Sequence, residues 1–378
     1  MEGVFDEQFI LQSRLPASLK RIADKVISGQ RILPEEGFLL YEKGELGFLA
    51  MLAEKVRTRL NADDVYYIRN FHIEPTNICV NKCRFCSYSH HFSPEKWDLT
   101  LKEMMEIIRT ADDDMKELHI TGAVHPDKDL YYYADLLRKS KAIRPDLHIK
   151  ALSAVELDYI IKKARINFEQ GLKFLQEAGL DSIPGGGAEI FDDKIRQEIC
   201  PTKVSSEDWI KIHETAHRMG ITSNATMLYG HIENYSHRIR HMSILRDSQD
   251  RYGGFNAFIP LKFRNHNNEL SGVREATVIE DMKNYAISRI FLDNFPHIKG
   301  YWPMIGKPLT QLSLLFGVDD MDGTINDTTR IYSLAGASEQ NPRMTVSEMK
   351  TLILEARRNP VERDSLYRPI ISQQDGSK

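Results

Sequence analysis

Cysteine is scarce in this chain, with four in 378 residues, and three of the four fall between positions 79 and 86. That distribution excludes a disulfide scaffold and suits a ligand cluster kept reduced. Positive charge is not in excess either. Fifty Lys and Arg stand against 54 Asp and Glu, a formal net charge of −4, which offers nothing to a phosphate backbone and argues against a nucleic-acid partner. Long hydrophobic runs are missing. The longest, GFLAMLA (47–53), falls far short of the ~20 residues a spanning helix needs, so no membrane association is expected. The opening MEGVFDEQFILQSR carries early acids and no apolar stretch of the kind that directs secretion, and the expectation is a cytoplasmic protein. Repeats and low-complexity segments are absent, and the polar tail SQQDGSK reads as frayed. With 42% hydrophobic and 28% charged residues, the chain can bury one large α/β core or two ordinary ones.

Helical periodicity dominates the start: LPASLKRIADKVISG, PEEGFLLYEK and ELGFLAMLAEKVRTRLNAD are separated by Gly and Pro. From FHIEP (71–75) onward short apolar runs alternate with amphipathic segments. The strand candidates are ELHITG (117–122), LHIKALS (147–153), DSIPGG (181–186), GITSNATMLYG (220–230) and GFNAFIPLKF (254–263), with weaker ones at HIKGYWP (297–303) and LSLLFGV (312–318). Helices are expected near 100–111, 129–142, 235–250 and 275–290 and in stretches up to about 178. Some eight alternations fit a (β/α) TIM-type barrel, with a doubly wound open sheet as the alternative. The expected division is a helical extension over 1–62, the barrel over 63–342, and a C-terminal helix and polar tail over 343–378.

Cys79, Cys83 and Cys86 are spaced C-x3-C-x2-C after the first barrel strand, where the loops of a barrel build active sites. Three thiolates leave one iron of a cubane open; a zinc site would need His90 or His91 as fourth ligand, and a ferredoxin a fourth nearby Cys. With Phe85 just before the last cysteine, the motif resembles that of the radical S-adenosylmethionine (SAM) superfamily. FHIEPTNICVNKCRFCSYSHH, ELHITGAVHPD, SIPGGGAEIFDDKIRQEICPTK, SNATMLYGHIENYSHR, GGFNAFIPLKFRN, NYAISRIFLDNFPHIKGYWPMIG and LSLLFGVDDMDGTINDT are similar, segment by segment from about 70 to 342, to the aminofutalosine synthase family of the futalosine route to menaquinone. The cysteine motif and the Pro-Gly-Gly-Gly-Ala-Glu run are shared with sister families, dehypoxanthine futalosine cyclase and the tyrosine-using subunit of deazaflavin synthase. ITGAVHP, FIPLKFRNHNNEL and RIFLDNFPHIKGYWPMIG carry the choice among them.

What the resemblance implies is a transferase on a radical SAM barrel. A [4Fe-4S] cluster is held by Cys79, Cys83 and Cys86, SAM is a co-substrate, and an electron donor such as flavodoxin or ferredoxin serves it. The small-molecule substrate is 3-[(1-carboxyvinyl)oxy]benzoate and the product 6-amino-6-deoxyfutalosine. Phe85, Thr121, Gly122, Gly186 and Glu189 are the expected cofactor contacts, with Glu189 a candidate acceptor for a ribose hydroxyl. A plain tight turn at Pro184–Gly187 and ordinary strand ends at Thr121 and Gly122 are the alternatives. Arg264, after the sixth barrel strand, is the expected grip on the benzoate carboxylate, against the alternative of a rim salt bridge.

Three further features compete for attention. His213-Glu214-Thr215-Ala216-His217 is a literal H-E-x-x-H, and a zinc hydrolase is the rival from another class; yet Trp209, Ile212, Ala216 and Met219 at helical spacing mark the segment as an outer barrel helix. Cys200 reads as a packed thiol. Asp319, Asp320, Asp322 and Asp327 lack the Glu that would close a calcium loop and read as a turn at the barrel rim.

Overall fold

Amphipathic spacing builds the first helices. In the computed structural model, which describes residues 15–93, 95–324, 330–337, 340 and 342–370, helix α1 (Ala17–Ile27) turns Leu19, Ile22, Ala23 and Val26 inward at i, i+3, i+4 and i+7. Helix α2 (Pro34–Lys43) starts on a proline, whose missing N–H costs nothing in a first turn, and α3 (Leu46–Asn61) follows. These helices lie on the barrel's outer layer. Tyr41 of α2 donates a 2.6 Å hydrogen bond to Asn284 of α11 (Val278–Phe291), against which α3 also packs.

Seven parallel strands form the main sheet in sequence order: β2 (Asn70–Ile73), β3 (Glu117–Ile120), β4 (His148–Ala151), β5 (Ser182–Ile183), β6 (Thr222–Tyr229), β7 (Phe255–Lys262) and β8 (His297–Ile298). Parallel neighbours demand crossover helices, and α4 (Leu101–Thr110), α5 (Leu130–Ile143), α6 (Ala154–Lys163), α7 (Phe168–Glu177), α8 (Asp193–Ile199), α9 (Ser206–Arg218), α10 (Tyr235–Tyr252) and α11 supply them. The TIM-type reading holds as a curled, seven-stranded parallel half-barrel clad in helices.

A second sheet was not legible in the sequence. It orders β10 (Asn359–Glu362), β1 (Asp64–Ile68) and β9 (Asp320–Gly323), all parallel. β9 bridges the β8 edge through Lys299 and Asp320, and its other end lies against the first residue of β2. A Cβ on Gly323 would stand 1.8 Å from Asn70 Oδ1, so any larger residue here must push the buried Asn70 amide aside. Gly323→Ala is expected to cost about 1–3 kcal/mol by overpacking, read as a lowered thermal midpoint. Gly47→Ala, at a helical position with open space around it, should leave the midpoint unchanged or raise it.

β9 also overturns two expectations. LSLLFGV (312–318) is not a strand: α13 (Lys307–Ser313), with proline in its first turn, consumes its start, Leu312 and Leu315 face solvent three residues apart, and Gly317 at φ +90° breaks the chain direction. The acidic run is not a rim turn. Asp319, Asp320 and Asp322 are buried in the closing strand and its entry, and partners from other elements make that burial tolerable: Arg289 and a hydrogen bond with the His297 ring for Asp319, Arg363 and Lys299 for Asp320, Lys299 for Asp322. Asp327 lies outside the described residues, as do the opening 14 residues and the polar tail. Beyond the short α12 (Trp302–Ile305), the C-terminal region holds α14 (Val346–Glu355) and the added strand β10. Among the described residues, no helix is long and apolar enough to cross a membrane.

Candidate active site

The strand ends and the loops that follow them enclose a cavity of about 280 Å3, and every residue singled out above as a cluster, cofactor or substrate contact lines it. The loop after β2 carries the cysteines. Backbone bonds pin it on both sides, Val80 N to Val124 O at 2.9 Å and Arg84 N to Ile199 O at 2.8 Å. His90 and His91 are turned to the loop's backbone: Nδ1 of His90 accepts from Cys79 N at 3.1 Å, and Nε2 of His91 lies 3.0 Å from Cys79 O. Burial pushes the Cys83 and Cys86 thiols up, while Lys203 pulls both down. Backbone N–H groups of Ser89 and Tyr88 favour the Cys86 thiolate further, and Asn81 N donates to Cys79 Sγ at 3.4 Å. Buried thiols with a cation and several N–H donors around them fit an anionic iron–sulfur cluster. A single metal ion fits worse, since no three His, Cys, Asp or Glu side chains converge on one point among the described residues.

Lys203 joins several of the expected contacts into one group. Its ammonium pairs with Glu189 and sits 5.2 Å from the centre of the Phe85 ring. Glu189, held at φ +48°, therefore faces Lys203, and its role as a hydroxyl acceptor would be shared with that ion pair. The glycine run before it is built for close approach: a Cβ on Gly185 would meet Asn224 backbone at 2.7 Å, and Trp209 Nε1 donates to Gly186 O at 3.1 Å. Across the cavity, Gly122, two residues beyond the end of β3, lies so close to Thr76 O that a Cβ would stand 3.0 Å away. Glu156 underpins this edge, accepting from Ser153 N at 2.8 Å and Ser153 Oγ at 2.7 Å and from the Gly122 backbone. Burial nonetheless pushes its carboxyl up to about 7.

The interior of the barrel is polar. Alternate residues of each strand point inward, and here these are His72 and Glu74, Glu117, His119 and Thr121, Lys150, Asn224 and Thr226, and Lys299. At the floor Lys150 pairs with Glu117 at 2.7 Å, Lys299 pairs with Asp322, and His119 packs edge-on to His72 with ring centres 4.8 Å apart. Higher up, Leu228, Ile259, Leu261, Tyr301 and Tyr332 make an apolar wall. Arg264 is on that side too, but its terminal nitrogens are engaged, one with Glu275 at 3.1 Å and the other with Gly336 O at 2.7 Å.

Two motifs fall elsewhere. His213 and His217 both turn to Ser223, His213 Nδ1 and His217 Nε2 each lying 2.8 Å from its hydroxyl. Burial pushes His217 down to about 4 and holds His213 well below the ordinary histidine value, so the pair is a neutral clamp between α9 and β6 with no third ligand among the described residues. Cys200 is buried as expected, but the fold brings it beside Lys203 and within electrostatic reach of Cys83.

Comparison with known proteins settles the family. The profile of the Radical SAM superfamily matches residues 73–245, and that of the CofH/MqnC C-terminal region matches 252–374. The aminodeoxyfutalosine synthase of Thermus thermophilus is 43% identical over 92% of this chain and 95% of its own length. The chain belongs to the aminodeoxyfutalosine synthase family of radical SAM enzymes. The cyclic dehypoxanthine futalosine synthase of Streptomyces coelicolor, a sister enzyme, is 36% identical over 95% of this chain and 90% of its own. Methylornithine synthase shares the fold, with a TM-score of 0.71 at 18% identity over 90% of this chain and 97% of that one.

For a radical SAM enzyme, the pieces that sequence inspection overlooked are Lys203 and the charged floor. Lys203 closes the SIPGGGAEIFDDKIRQEICPTK segment, three residues after Cys200. The floor had a signal as well: in H-I-E, E-L-H-I-T and H-I-K the polar residues recur at every second position in strands that the barrel buries on both faces.

Proposed function

We propose that this radical SAM chain is an aminodeoxyfutalosine synthase. It joins the 5′-deoxyadenosyl group of SAM to the enol-ether double bond of 3-[(1-carboxyvinyl)oxy]benzoate; the adduct radical rearranges onto the ring, loses its carboxylate as CO2 or, after hydration, bicarbonate, and gives back the one electron that entered at SAM cleavage, leaving closed-shell 6-amino-6-deoxyfutalosine. The supporting observation is one cavity that unites the three-cysteine loop, an apolar wall and a polar floor, on a chain 43% identical to an enzyme of that name. When bound through Cys79, Cys83 and Cys86, a [4Fe-4S] cluster supplies the electron that splits the sulfur–carbon bond of SAM. The chain's own residues do the rest. Thr121 and Gly122 suit the methionine end of SAM, and Gly186 and Glu189 the ribose side, both within the wall that also holds Phe85. Leu228, Ile259, Leu261, Tyr301 and Tyr332 pack the substrate ring and exclude water from a radical carbon held at the alkene. The electron reaches the site from a small redox protein of the flavodoxin or ferredoxin kind.

Label transfer tests the reading. SAM labelled in its adenosine should pass the label into the product, with methionine released one for one. Label recovered wholly as free 5′-deoxyadenosine, while the enol ether is consumed, would instead fit a hydrogen-abstracting sister enzyme and end the transferase assignment.

A further inference from the structure

We propose that the cavity floor, where His119, Lys150 and Lys299 meet, seats the ring carboxylate of the aromatic substrate, which deepens the function proposed above and rests on it. His119 lines the cavity with a partly exposed ring that makes no hydrogen bond among the described residues, and its Nε2 is buried and unpartnered. An ammonium has three donors; Lys150 hydrogen-bonds Glu117, and Lys299 hydrogen-bonds Asp322 and also pairs with Asp320 at 3.9 Å, so each keeps at least one N–H to offer. Three side chains with donors to spare thus face one closed end of the cavity.

Depth and chemistry select which group sits there. His119 lies two residues below Thr121 along β3, roughly 7 Å deeper at about 3.3 Å per residue. A substrate whose alkene meets the adenosyl carbon beside the cysteine loop would reach the floor with the far end of its ring, across the apolar wall at Ile259 and Leu261. The enol-ether carboxylate is the one expelled, and a tight clamp would oppose its departure. The ring carboxylate survives, so holding it orients the molecule without hindering the chemistry. Arg264 suits this task less well, because Glu275 and Gly336 O occupy both of its terminal nitrogens. The floor's charges already pair, so an incoming carboxylate adds one negative charge, which the neutral His119 meets as an N–H donor and the two ammonium groups with their remaining protons.

Equilibrium binding tests the seat without turnover. The probes are 3-methoxybenzoate and 3-methoxybenzamide, titrated into full-length, cluster-loaded protein saturated with SAM. Wild type should prefer the acid about ten- to hundred-fold, the range of charge-assisted hydrogen bonds. His119→Leu should lose part of that preference. The double variant Lys150→Met with Glu117→Gln, which removes a cation together with its counter-acid, should lose most of it, and both should keep the cluster spectrum and SAM affinity. Arg264→Gln should keep the preference. No preference in wild type, an undiminished preference in folded floor variants, or its loss in Arg264→Gln alone would each overturn the seat. Label transfer from SAM in wild type reports on the reaction separately, so the two assignments fail by different measurements.

Discussion

Replacing Cys79, Cys83 or Cys86 by Ala is expected to abolish both cluster retention and SAM cleavage, while Cys200→Ala retains both. The three thiols share one loop, line one cavity and are held by backbone bonds that no other cysteine can reproduce. Cys200 is the stringent control, because the fold sets it close to Cys83 and not, as its distance in sequence suggests, far away. Its backbone N–H donates to Arg196 O at 2.8 Å at the end of α8, which ties it to a different element from the cysteine loop. Iron and sulfide analysis of anaerobically reconstituted protein, with the electron paramagnetic resonance signal of the reduced cluster, reads the result. Loss of the cluster in Cys200→Ala with retention in one of the other three would reverse the ligand assignment.

Arg363→Met is expected to cost about 3–5 kcal/mol of stability, the usual penalty for stranding one member of a buried ion pair. Arg363 is 1% exposed and Asp320 wholly buried; the guanidinium meets the carboxylate through Nε at 2.9 Å and Nη2 at 2.7 Å and stacks on Tyr367. Burial alone would raise the Asp320 carboxyl, yet Arg363 and then Lys299 outweigh it and hold the group below the ordinary carboxylate range. The wild-type contribution is therefore present above the unfolded value of ~3.9 and is lost only as pH falls through the lower folded value. Without Arg363 the sign reverses: burial dominates, the folded value rises, and the deficit is largest at neutral pH and shrinks toward pH 4. Urea unfolding of the metal-free protein at pH 7 and pH 4.5 measures it, and a deficit that is small or flat with pH would refute this account.

The strands that could be read in advance are those whose own residues decide the matter. NFHI, ELHI, HIKA and the long runs at 222–229 and 255–262 carry β-branched and aromatic residues between clear turn signals. Asp-Met-Asp-Gly offers nothing of the kind. It becomes a strand because Lys299, Arg289 and Arg363, from three other parts of the chain, neutralise its acids, and because Gly323 slips past Asn70. The same contrast divides the site. Three cysteines in eight residues announce a ligand set by spacing. His119 and Lys150 sit opposite each other on β3 and β4 and carry the alternating polar signal of those strands, whereas Lys203 and Lys299 are ordinary in their local setting and reach the same cavity only through the closing of the ring. Arg264 shows the reverse, a conspicuous position whose meaning turns on Glu275, eleven residues away.

Ribosomes deliver this chain from its N-terminus, and that order matters for the closing strand. Asp320 precedes its guanidinium partner by 43 residues. At the usual ~5–20 residues per second, roughly 2 to 9 s separate their synthesis. During that interval every strand of the curl exists, but the strand that seals it carries an acid with half its counter-charge. A nascent chain that has not reached Arg363 therefore holds Asp320 without its bidentate partner, and the closing strand is expected to settle only once that guanidinium has been made.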